Sequence, residues 1–543
     1  MVLNQTPPLA DYNLFTTDQA LSQAARREGA VHHLEQLAVD GATVGSAANF
    51  EHGRLANRNP PVLQSFDVRG ERVDAIEFHP SWHALMEGIA ARGYHSAPWV
   101  GGGAGAHVAR AAGYLMQAQV ECGTLCPTTM TYGGIAALRR DPELAKSWVP
   151  RLLTRRYDPR DIPIDTKLGG LIGMGMTEKQ GGSDVRANTT RAVRSADGSY
   201  RITGHKWFFS APQCDAHLVL AQAEGGLSCF FMPRRLPDGS RNEIFIQRLK
   251  DKLGNRSNAS SEVEFMDAWA LLLGEEGRGV PTILEMGTYT RLDCLIGTAG
   301  MMRQALVQAL HHAHHRKVFG SALLDQPLMR SVLADLALES EAATALSMRL
   351  ARAFESDAPS ELALRRALTS AAKFWVCKRG CELAAEAMEV LGGNGYTEEL
   401  PLARIAREMP VNSIWEGSGN IMCLDVLRAF AKSPATCELV LHELSGARGA
   451  DRRFDVEFER FAAALAAPGF QEARARRLAQ SFVTLMQASL LLAAAASGPP
   501  AAARVAEGFC ATRLDRESGW GAVFGAGETD VDTVSILDRA WTE

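Results

Sequence analysis

The sequence has no strong excess of charge of either sign, and this limits the partners that the chain can attract as a whole. Its 543 residues include 57 Lys and Arg against 62 Asp and Glu, which gives a formal net charge of -5. This balance provides no general attraction to nucleic acid, so contact with DNA would depend on a local group of basic side chains. Hydrophobic residues at 46% and charged residues at 22% are typical of a globular protein.

Long apolar runs are also missing. The longest one, residues 483–497, is interrupted by Gln487 and is shorter than the ~20 residues that a membrane span needs. The first 18 residues are polar and lack the basic start and apolar stretch of a secretory signal. We therefore expect a cytoplasmic protein that does not enter a membrane.

Residues that could hold a metal lack suitable partners. Two cysteine pairs have a spacing of four but no second pair of ligands, namely Cys122 with Cys126 and Cys377 with Cys381. Three histidines share one face of a predicted helix without a Cys or carboxylate nearby, His311, His314 and His315. We predict reduced thiols, a solvated or subunit-facing histidine cluster, and no metal site.

The texture of the sequence changes along the chain, and the changes predict four regions. Apolar residues recur at helical spacing before and after a central region of short, strand-like runs with turns at Asp197-Gly198 and Pro237-Asp238-Gly239. The predicted domains are a helical domain at 1–168, a β-domain at 169–275, a helical bundle at 276–432 and a helical extension at 433–543.

Two segments of the predicted β-domain could contact a cofactor. Residues 174–184 are rich in glycine, and the hydroxyls of Thr177 and Ser183 could donate to phosphate or flavin oxygens. Residues 204–210 end a predicted strand with adjacent aromatic rings and a hydroxyl, which could line a planar ring. A polar loop and ordinary core aromatics are the alternative interpretations.

Two further segments lie in the helical bundle. Arg316 stands at a break between long helices, where a guanidinium suits a pyrophosphate, although an Arg that complements the helix dipole explains it equally well. Glu416 lies between an indole and a glycine just before a helix that begins near Asn420. Partial desolvation there raises the pKa of the carboxyl group toward the range of a base; the alternative is an acid favoured by the helix dipole.

Taken together and in this order, these segments resemble the acyl-CoA dehydrogenase family, over about residues 169–428. The resemblance implies an α+β fold with an N-terminal helical domain, a middle β-barrel and a C-terminal helical bundle, here followed by an additional C-terminal helical domain. It also implies that FAD is the cofactor. Glu416 would remove the proton α to a thioester carbonyl while the β-hydrogen leaves as hydride to the flavin.

The resemblance assigns the remaining cofactor contacts, three of which (Arg316, Phe319 and Gln326) would reach FAD of a neighbouring subunit. Together, the implied FAD-binding residues are Met174, Met176, Thr177, Gly182, Ser183, Phe208, Phe209, Ser210, Arg316, Phe319, Gln326, Gly392, Gly393, Ile414, Trp415, Gly417, Ser418 and Asn420.

Nearly the whole chain is similar to one branch of this family, the alkylation-response flavoproteins of bacteria. The similarity is strongest at residues 57–61, 171–185, 204–210, 249–260, 373–380 and 407–428. It implies a homotetramer, arranged as a dimer of dimers, that binds double-stranded DNA through its C-terminal region and takes part in the adaptive response to DNA alkylation damage. Only weak, isovaleryl-CoA-like acyl-CoA dehydrogenase activity is implied. Phe208 replaces the usual Trp of the dehydrogenases, and Trp415 their usual Tyr.

Contact with DNA requires exposed basic side chains that meet phosphates. No Lys follows Lys432, and acids slightly outnumber the arginines of the extension. Four arginines could nevertheless form a positive stripe across a tetramer, Arg428, Arg474, Arg477 and Arg513. Without a base-reading motif, we predict phosphate contacts with little sequence preference. A solvated helical domain that closes the tetramer, and a metabolic acyl-CoA dehydrogenase, remain the alternatives.

Overall fold

The computed structural model describes residues 3–101, 103–467, 469, 471–515, 523–527 and 531–541. The chain forms two compact units. We call residues 48–103 and 120–290 the barrel unit, and residues 1–47, 104–119 and 291–543 the helical unit. Residues of the predicted N-terminal domain are thus divided between the two.

Helices make up most of the chain. In chain order the α-helices are α1 Gln19–Arg27, α2 Leu34–Val44, α3 Ala47–Arg58, α4 Pro80–Arg92, α5 Ala106–Val120, α6 Leu125–Leu138, α7 Pro142–Leu152, α8 Gly279–His315, α9 Pro327–Arg352, α10 Pro359–Val390, α11 Pro401–Ile414, α12 Gly419–Lys432, α13 Pro434–Ser445, α14 Arg452–Ala466, α15 Ala475–Ser497, α16 Pro500–Arg513 and α17 Thr533–Ala540.

Most strands lie in the middle of the chain. They are β1 Val62–Phe66, β2 Arg72–Glu77, β3 Ile172–Gly175, β4 Arg191–Arg194, β5 Tyr200–Ser210, β6 Ala216–Ala223, β7 Gly226–Pro233, β8 Ile244–Leu249, β9 Ser260–Leu273, β10 Lys317–Val318 and β11 Ser321–Ala322.

The central strands of the barrel unit close on themselves. Strand β5 pairs with β4 on one side and with β9 on the other, and β4, β6, β7 and β9 pair in turn, so these five strands form a complete circuit. Their inward side chains, such as Ile202, Phe230 and Val263, form one buried cluster. The predicted middle β-barrel is therefore confirmed.

The hairpin formed by β1 and β2 was not predicted, because the surrounding sequence has helical spacing. Its turn is held by Asp67, whose carboxylate accepts from the backbone amides of Arg69 and Glu71 at 2.8 and 2.9 Å. Arg72 then donates to the carbonyl of Ile246 in β8 at 2.6 Å. The hairpin depends on this remote strand, which the local pattern does not reveal.

The three longest helices of the described residues follow the strands of the barrel. Helices α8, α9 and α10 have 37, 26 and 32 residues, and α9 and α10 pack against each other and against α15. From the sequence, the apolar run at residues 483–497 was expected to be too short to cross a membrane. In the described residues, the helical stretch Glu472–Ser497, which includes α15, is long and apolar enough to cross one, but 72% of its apolar window is buried inside the fold. A core helix of a globular bundle has this property.

Candidate functional site

The two predicted cofactor segments of the barrel unit lie side by side. Met174 of β3 pairs directly with Ser210 of β5, and the backbone amide of Trp207 donates to the carbonyl of Thr177 at 2.9 Å. A Cβ atom at Gly182 would lie 2.5 Å from the Thr177 hydroxyl oxygen, so glycine is needed for the loop to fold back there. The structure therefore joins the glycine-rich loop to the end of the aromatic strand.

A buried ion pair holds this loop on the barrel. The Nζ of Lys206 lies 2.8 Å from the carboxylate of Glu178, and both side chains are fully buried. The backbone amide of Thr189 donates to the same carboxylate at 2.7 Å. Burial opposes ionisation of Glu178, but the ammonium and the hydrogen bonds outweigh it and lower its pKa to about 2. Burial lowers the pKa of Lys206 to about 8, although Glu178 favours its charged form.

The adjacent rings of Phe208 and Phe209 face opposite ways. Phe208 is 52% exposed, whereas Phe209 is fully buried and stacks on His217 with ring centroids 4.2 Å apart. Successive side chains of a strand point to opposite faces, so the assignment of Phe209 as a ring that flanks the flavin is wrong: it is a core residue. Of the two, only Phe208 offers its ring to a ligand. Met174 is also buried, and Ser210 is partly exposed.

In the helical unit, Glu416 occupies a strained turn between α11 and α12. Its φ is +57°, in the left-handed region that non-glycine residues rarely adopt, and Gly417 follows with φ +107°. Such a conformation costs about 1–3 kcal/mol and persists only where its surroundings impose it. A Cβ at Gly417 would lie 2.4 Å from the Met422 side chain. The turn therefore requires glycine at 417 and tolerates a carboxylate at 416.

Two basic side chains, not predicted from the sequence, impose this conformation. Lys373 of α10 is 1% exposed, and its Nζ donates to the carbonyls of Trp415 and Gly417, both at 2.6 Å. Arg291 of α8 donates through Nε to the carbonyl of Glu416 at 3.0 Å. Three successive carbonyls are thus fixed by side chains from other helices. A lone lysine within an apolar stretch of a long helix, as at Lys373, is the signal that could have revealed this role.

The indole of Trp415 is fixed by a third contact. Its Nε1 donates to Oδ1 of Asn412 at 3.0 Å, and Nδ2 of Asn412 donates to the hydroxyl of Thr298 at 3.0 Å. Thr298 in turn donates to the carbonyl of Cys294 at 2.7 Å. This chain of hydrogen bonds anchors the turn to the middle of α8.

We expect Asn412→Ala to lower the free energy of unfolding by about 1–3 kcal/mol, because it removes the partners of both the indole N–H and the Thr298 hydroxyl. Urea denaturation measures this change. Ser413→Ala, on the same helix but partly exposed, is the control and should stay within about 0.5 kcal/mol of the parent. Equal unfolding midpoints for the two variants would contradict the anchoring role.

The predicted phosphate-binding segment forms a tight hairpin at the end of α8. Strands β10 and β11 are joined by Phe319 and Gly320, with φ +50° and +91°, a pair of positive values typical of two-residue hairpin turns. Phe319 is 98% exposed at the tip. Gln326 supports the hairpin by donating through Nε2 to the Ser321 hydroxyl at 2.7 Å. The Arg316 side chain is partly exposed and lies beside the hairpin.

The other predicted contacts lie on exposed surface of the helical unit. A Cβ atom added at Gly392, whose φ is +59°, or at Gly393 would have no atom within 4 Å, so this turn leaves room for a ligand. Ile414 is 64% exposed. Ser418 precedes the first turn of α12, and Asn420 is exposed in that turn.

The exposed groups fit FAD by chemistry. Apolar side chains that proteins usually bury are exposed at three predicted positions, Phe208, Phe319 and Ile414, and such surfaces suit the planar rings of a dinucleotide. Arg316 can bind pyrophosphate oxygens, and the hydroxyls of Thr177 and Ser183 can donate to polar atoms. Each unit thus carries residues suited to the cofactor.

The four arginines predicted to contact DNA differ in their surroundings. Arg428 of α12, Arg474 and Arg477 are exposed. Arg513 is buried, and its guanidinium lies 2.6 Å from Asp335 and 2.9 Å from Glu339. The assignment of Arg513 to DNA binding is therefore wrong, because two buried carboxylates already neutralise it; its role is to join α16 to α9.

Cysteines and histidines form no metal centre in the part of the chain that the structure describes. All ten cysteines are free thiols, and His311, His312 and His315 are engaged in hydrogen bonds at the end of α8.

Three family models match the chain, and their order agrees with the fold. The N-terminal domain of the adaptive response protein AidB matches residues 4–159, the acyl-CoA dehydrogenase middle domain matches 173–268, and the acyl-CoA dehydrogenase C-terminal domain matches 277–431. The resemblance seen in the ordered sequence segments is confirmed.

Individual proteins give the same result. AidB of Escherichia coli (strain K12) is 51% identical over 521 residues, which cover 95% of each chain. The crystal structure of ACDH-11 of Caenorhabditis elegans in complex with C11-CoA superimposes with a TM-score of 0.85 at 26% identity, covering 93% of this chain and 92% of that one. An acyl-CoA dehydrogenase of Bacillus anthracis complexed with FAD has a TM-score of 0.65 at 19% identity, covering 79% and 80%; this last likeness concerns the fold alone.

Proposed function

Because the chain belongs to the acyl-CoA dehydrogenase family, and within it to the AidB group, we propose that it binds double-stranded DNA and takes part in the adaptive response to DNA alkylation damage. It is a flavoprotein with FAD as cofactor. The observation that carries the proposal is the 51% identity with AidB of Escherichia coli over 95% of both chains. This extent reaches well past residue 431, where the dehydrogenase model ends.

Exposed arginines support the DNA part of the proposal. Arg428, Arg474 and Arg477 are exposed on the helical unit. A guanidinium group can donate to two oxygens of one phosphate at the same time. Since the net charge of the chain is -5, binding depends on such local groups and is sensitive to salt. A homotetramer, built as a dimer of dimers, brings copies of these arginines together. We place this activity in the cytoplasm.

The triple variant R428Q/R474Q/R477Q should bind duplex DNA more weakly and with a smaller salt dependence. Each lost phosphate contact reduces the slope of log K against log salt by about 0.9. Fluorescence anisotropy of a labelled duplex over a series of salt concentrations measures both quantities.

The control for this experiment is Arg504→Gln, on α16 of the same extension, because Arg504 already pairs with Glu507 at 3.1 Å. Its binding should match the parent. No binding of the parent at low salt would refute the DNA function, whereas an unchanged slope in the triple variant would refute only the choice of arginines.

A second candidate function is the α,β-dehydrogenation of an acyl-CoA, weak and isovaleryl-CoA-like. The specific observation in its favour is the turn of Glu416, which Lys373 and Arg291 fix through three carbonyls. The carboxylate of Glu416 takes the proton α to the thioester carbonyl, and Phe208 offers an exposed ring at the predicted flavin position. When bound, FAD supplies the acceptor for the β-hydride.

A further inference from the structure

Residues 4–7 form a short segment, which we call the strap, along the end of α8. Its main contact is a pair of hydrogen bonds between the Asn4 side chain and the backbone of Lys317: Nδ2 donates to the carbonyl at 2.8 Å, and Oδ1 accepts from the amide at 2.8 Å. Asn4 itself has φ +53°, a conformation that asparagine tolerates better than most residues. The amide side chain thus binds the first strand of the hairpin as a neighbouring strand would.

The rest of the strap reaches two other places. The Thr6 hydroxyl is 2.9 Å from Nδ1 of His312, and the carbonyl of Pro7 is 2.9 Å from Nε2 of His311. Oε1 of Gln5 accepts from Nδ2 of Asn394, in the turn of Gly392 and Gly393, at 3.2 Å. The strap therefore contacts the end of α8, the hairpin and the glycine turn, and the last two carry residues that the family resemblance assigns to cofactor binding.

Arg316 is also held by the strap. Its Nη1 donates to the backbone carbonyl of Asn4. A carbonyl is neutral, so it orients the guanidinium without cancelling its charge, and the remaining N–H groups are suited to an anion. A carboxylate in the same place would have neutralised Arg316, as happens to Arg513.

We propose that the strap is a positioning element for the cofactor: Asn4 holds Arg316 and the Lys317–Ala322 hairpin in the orientation that binds the pyrophosphate of FAD. This inference rests on the role predicted for Arg316 and is independent of DNA binding. It predicts that the side chain of Asn4 controls how long FAD stays bound, although it does not touch the cofactor.

The test is the rate of FAD release from the full-length holoprotein after dilution, followed by the rise in flavin fluorescence. Asn4→Ala removes both bonds to Lys317 and should release FAD about tenfold faster. Asn4→Asp keeps the acceptor for the Lys317 amide and should be intermediate. Leu3→Ala, at a neighbouring side chain that is 68% exposed, is the control and should release FAD at the parental rate.

A double variant separates positioning from a general loss of stability. If the strap acts through Arg316, N4A/R316A should release FAD no faster than R316A alone, and the thermal midpoints of N4A and L3A should agree. If the increases in release rate caused by the two single substitutions multiply in the double variant, the proposal is overturned. If N4A releases FAD at the parental rate while R316A releases it faster, the strap does not position the cofactor, but the role of Arg316 in FAD binding is retained. If R316A also releases FAD at the parental rate, Arg316 does not bind the cofactor and the premise of the proposal is refuted.

Discussion

Glu178→Gln is expected to lower the free energy of unfolding by about 3–5 kcal/mol, because it leaves the ammonium of Lys206 buried without its counter-charge. The two side chains are 2.8 Å apart and have no solvent exposure. Lys206 would keep its hydrogen bond to the carbonyl of Leu220 at 2.7 Å, and glutamine offers it only a neutral amide oxygen, which is too little to offset the burial of a charge. We expect the loop of Thr177 to loosen first.

Urea denaturation measures this effect, with Glu224→Gln, an exposed carboxylate of the barrel unit, as the control. The double variant E178Q/K206M should recover part of the loss, because removing both charges is less costly than isolating one. If E178Q were as stable as the control, or if the double variant were less stable than E178Q, the ion pair would not be what holds the loop.

The same pair makes stability depend on pH in a defined direction. The folded-state pKa of Glu178 is about 2, below its usual value of 4.5, so its stabilisation is complete above pH 4.5 and is lost as the pH falls toward 2. Glu178→Gln lacks this loss, and its stability should change less over that range. The folded pKa of Lys206, about 8 against a usual 10.5, adds stability as the pH rises from 8 to 10.5.

Glu416→Gln should slow the reduction of the bound flavin by isovaleryl-CoA by about 10²–10⁴-fold, the range over which a general base contributes. Glutamine keeps the size of the side chain but cannot accept the α-proton. Anaerobic mixing of holoprotein with excess isovaleryl-CoA, followed by the bleaching of the flavin, measures the single-turnover rate. A parental rate in this variant would show that Glu416 is not the base.

Glu416→Gly provides a companion measurement in which activity and stability move in opposite directions. Glycine adopts φ +57° without strain, so we expect the free energy of unfolding to rise by about 1 kcal/mol while the base is lost. Glu416→Ala removes the base but retains a Cβ, and it should lack this gain. Equal stabilities of the glycine and alanine variants would mean that the turn stores no strain at Glu416.

Sequence patterns predicted the helices, strands and turns well where neighbouring residues determine the structure. The predicted turn at Asp197-Gly198 lies between β4 and β5, and the predicted helical bundle at 276–432 contains the long helices α8, α9 and α10. Strand β9 extends from Ser260 to Leu273 and is longer than the short, strand-like runs that the sequence shows in this region. Its extra residues pair with β5 and β7, and this pairing is not visible in their own sequence.

The sequence by itself determined the family, the order of helical and β regions, and the segment that carries Glu416, because glycines, aromatics and charges at set spacings mark them. Only the tertiary structure decided which side chains serve the site. In the folded chain, the ring of Phe209 is buried in the core, and the guanidinium of Arg513 pairs with the carboxylates of Asp335 and Glu339. Lys373 lies at the turn of Glu416, where it donates to the backbone. Each outcome depends on which face of a helix or strand is buried and on contact partners that are remote in the sequence. Because those partners decide whether a charged group is neutralised or an aromatic ring is exposed, the local sequence does not reveal the role of either.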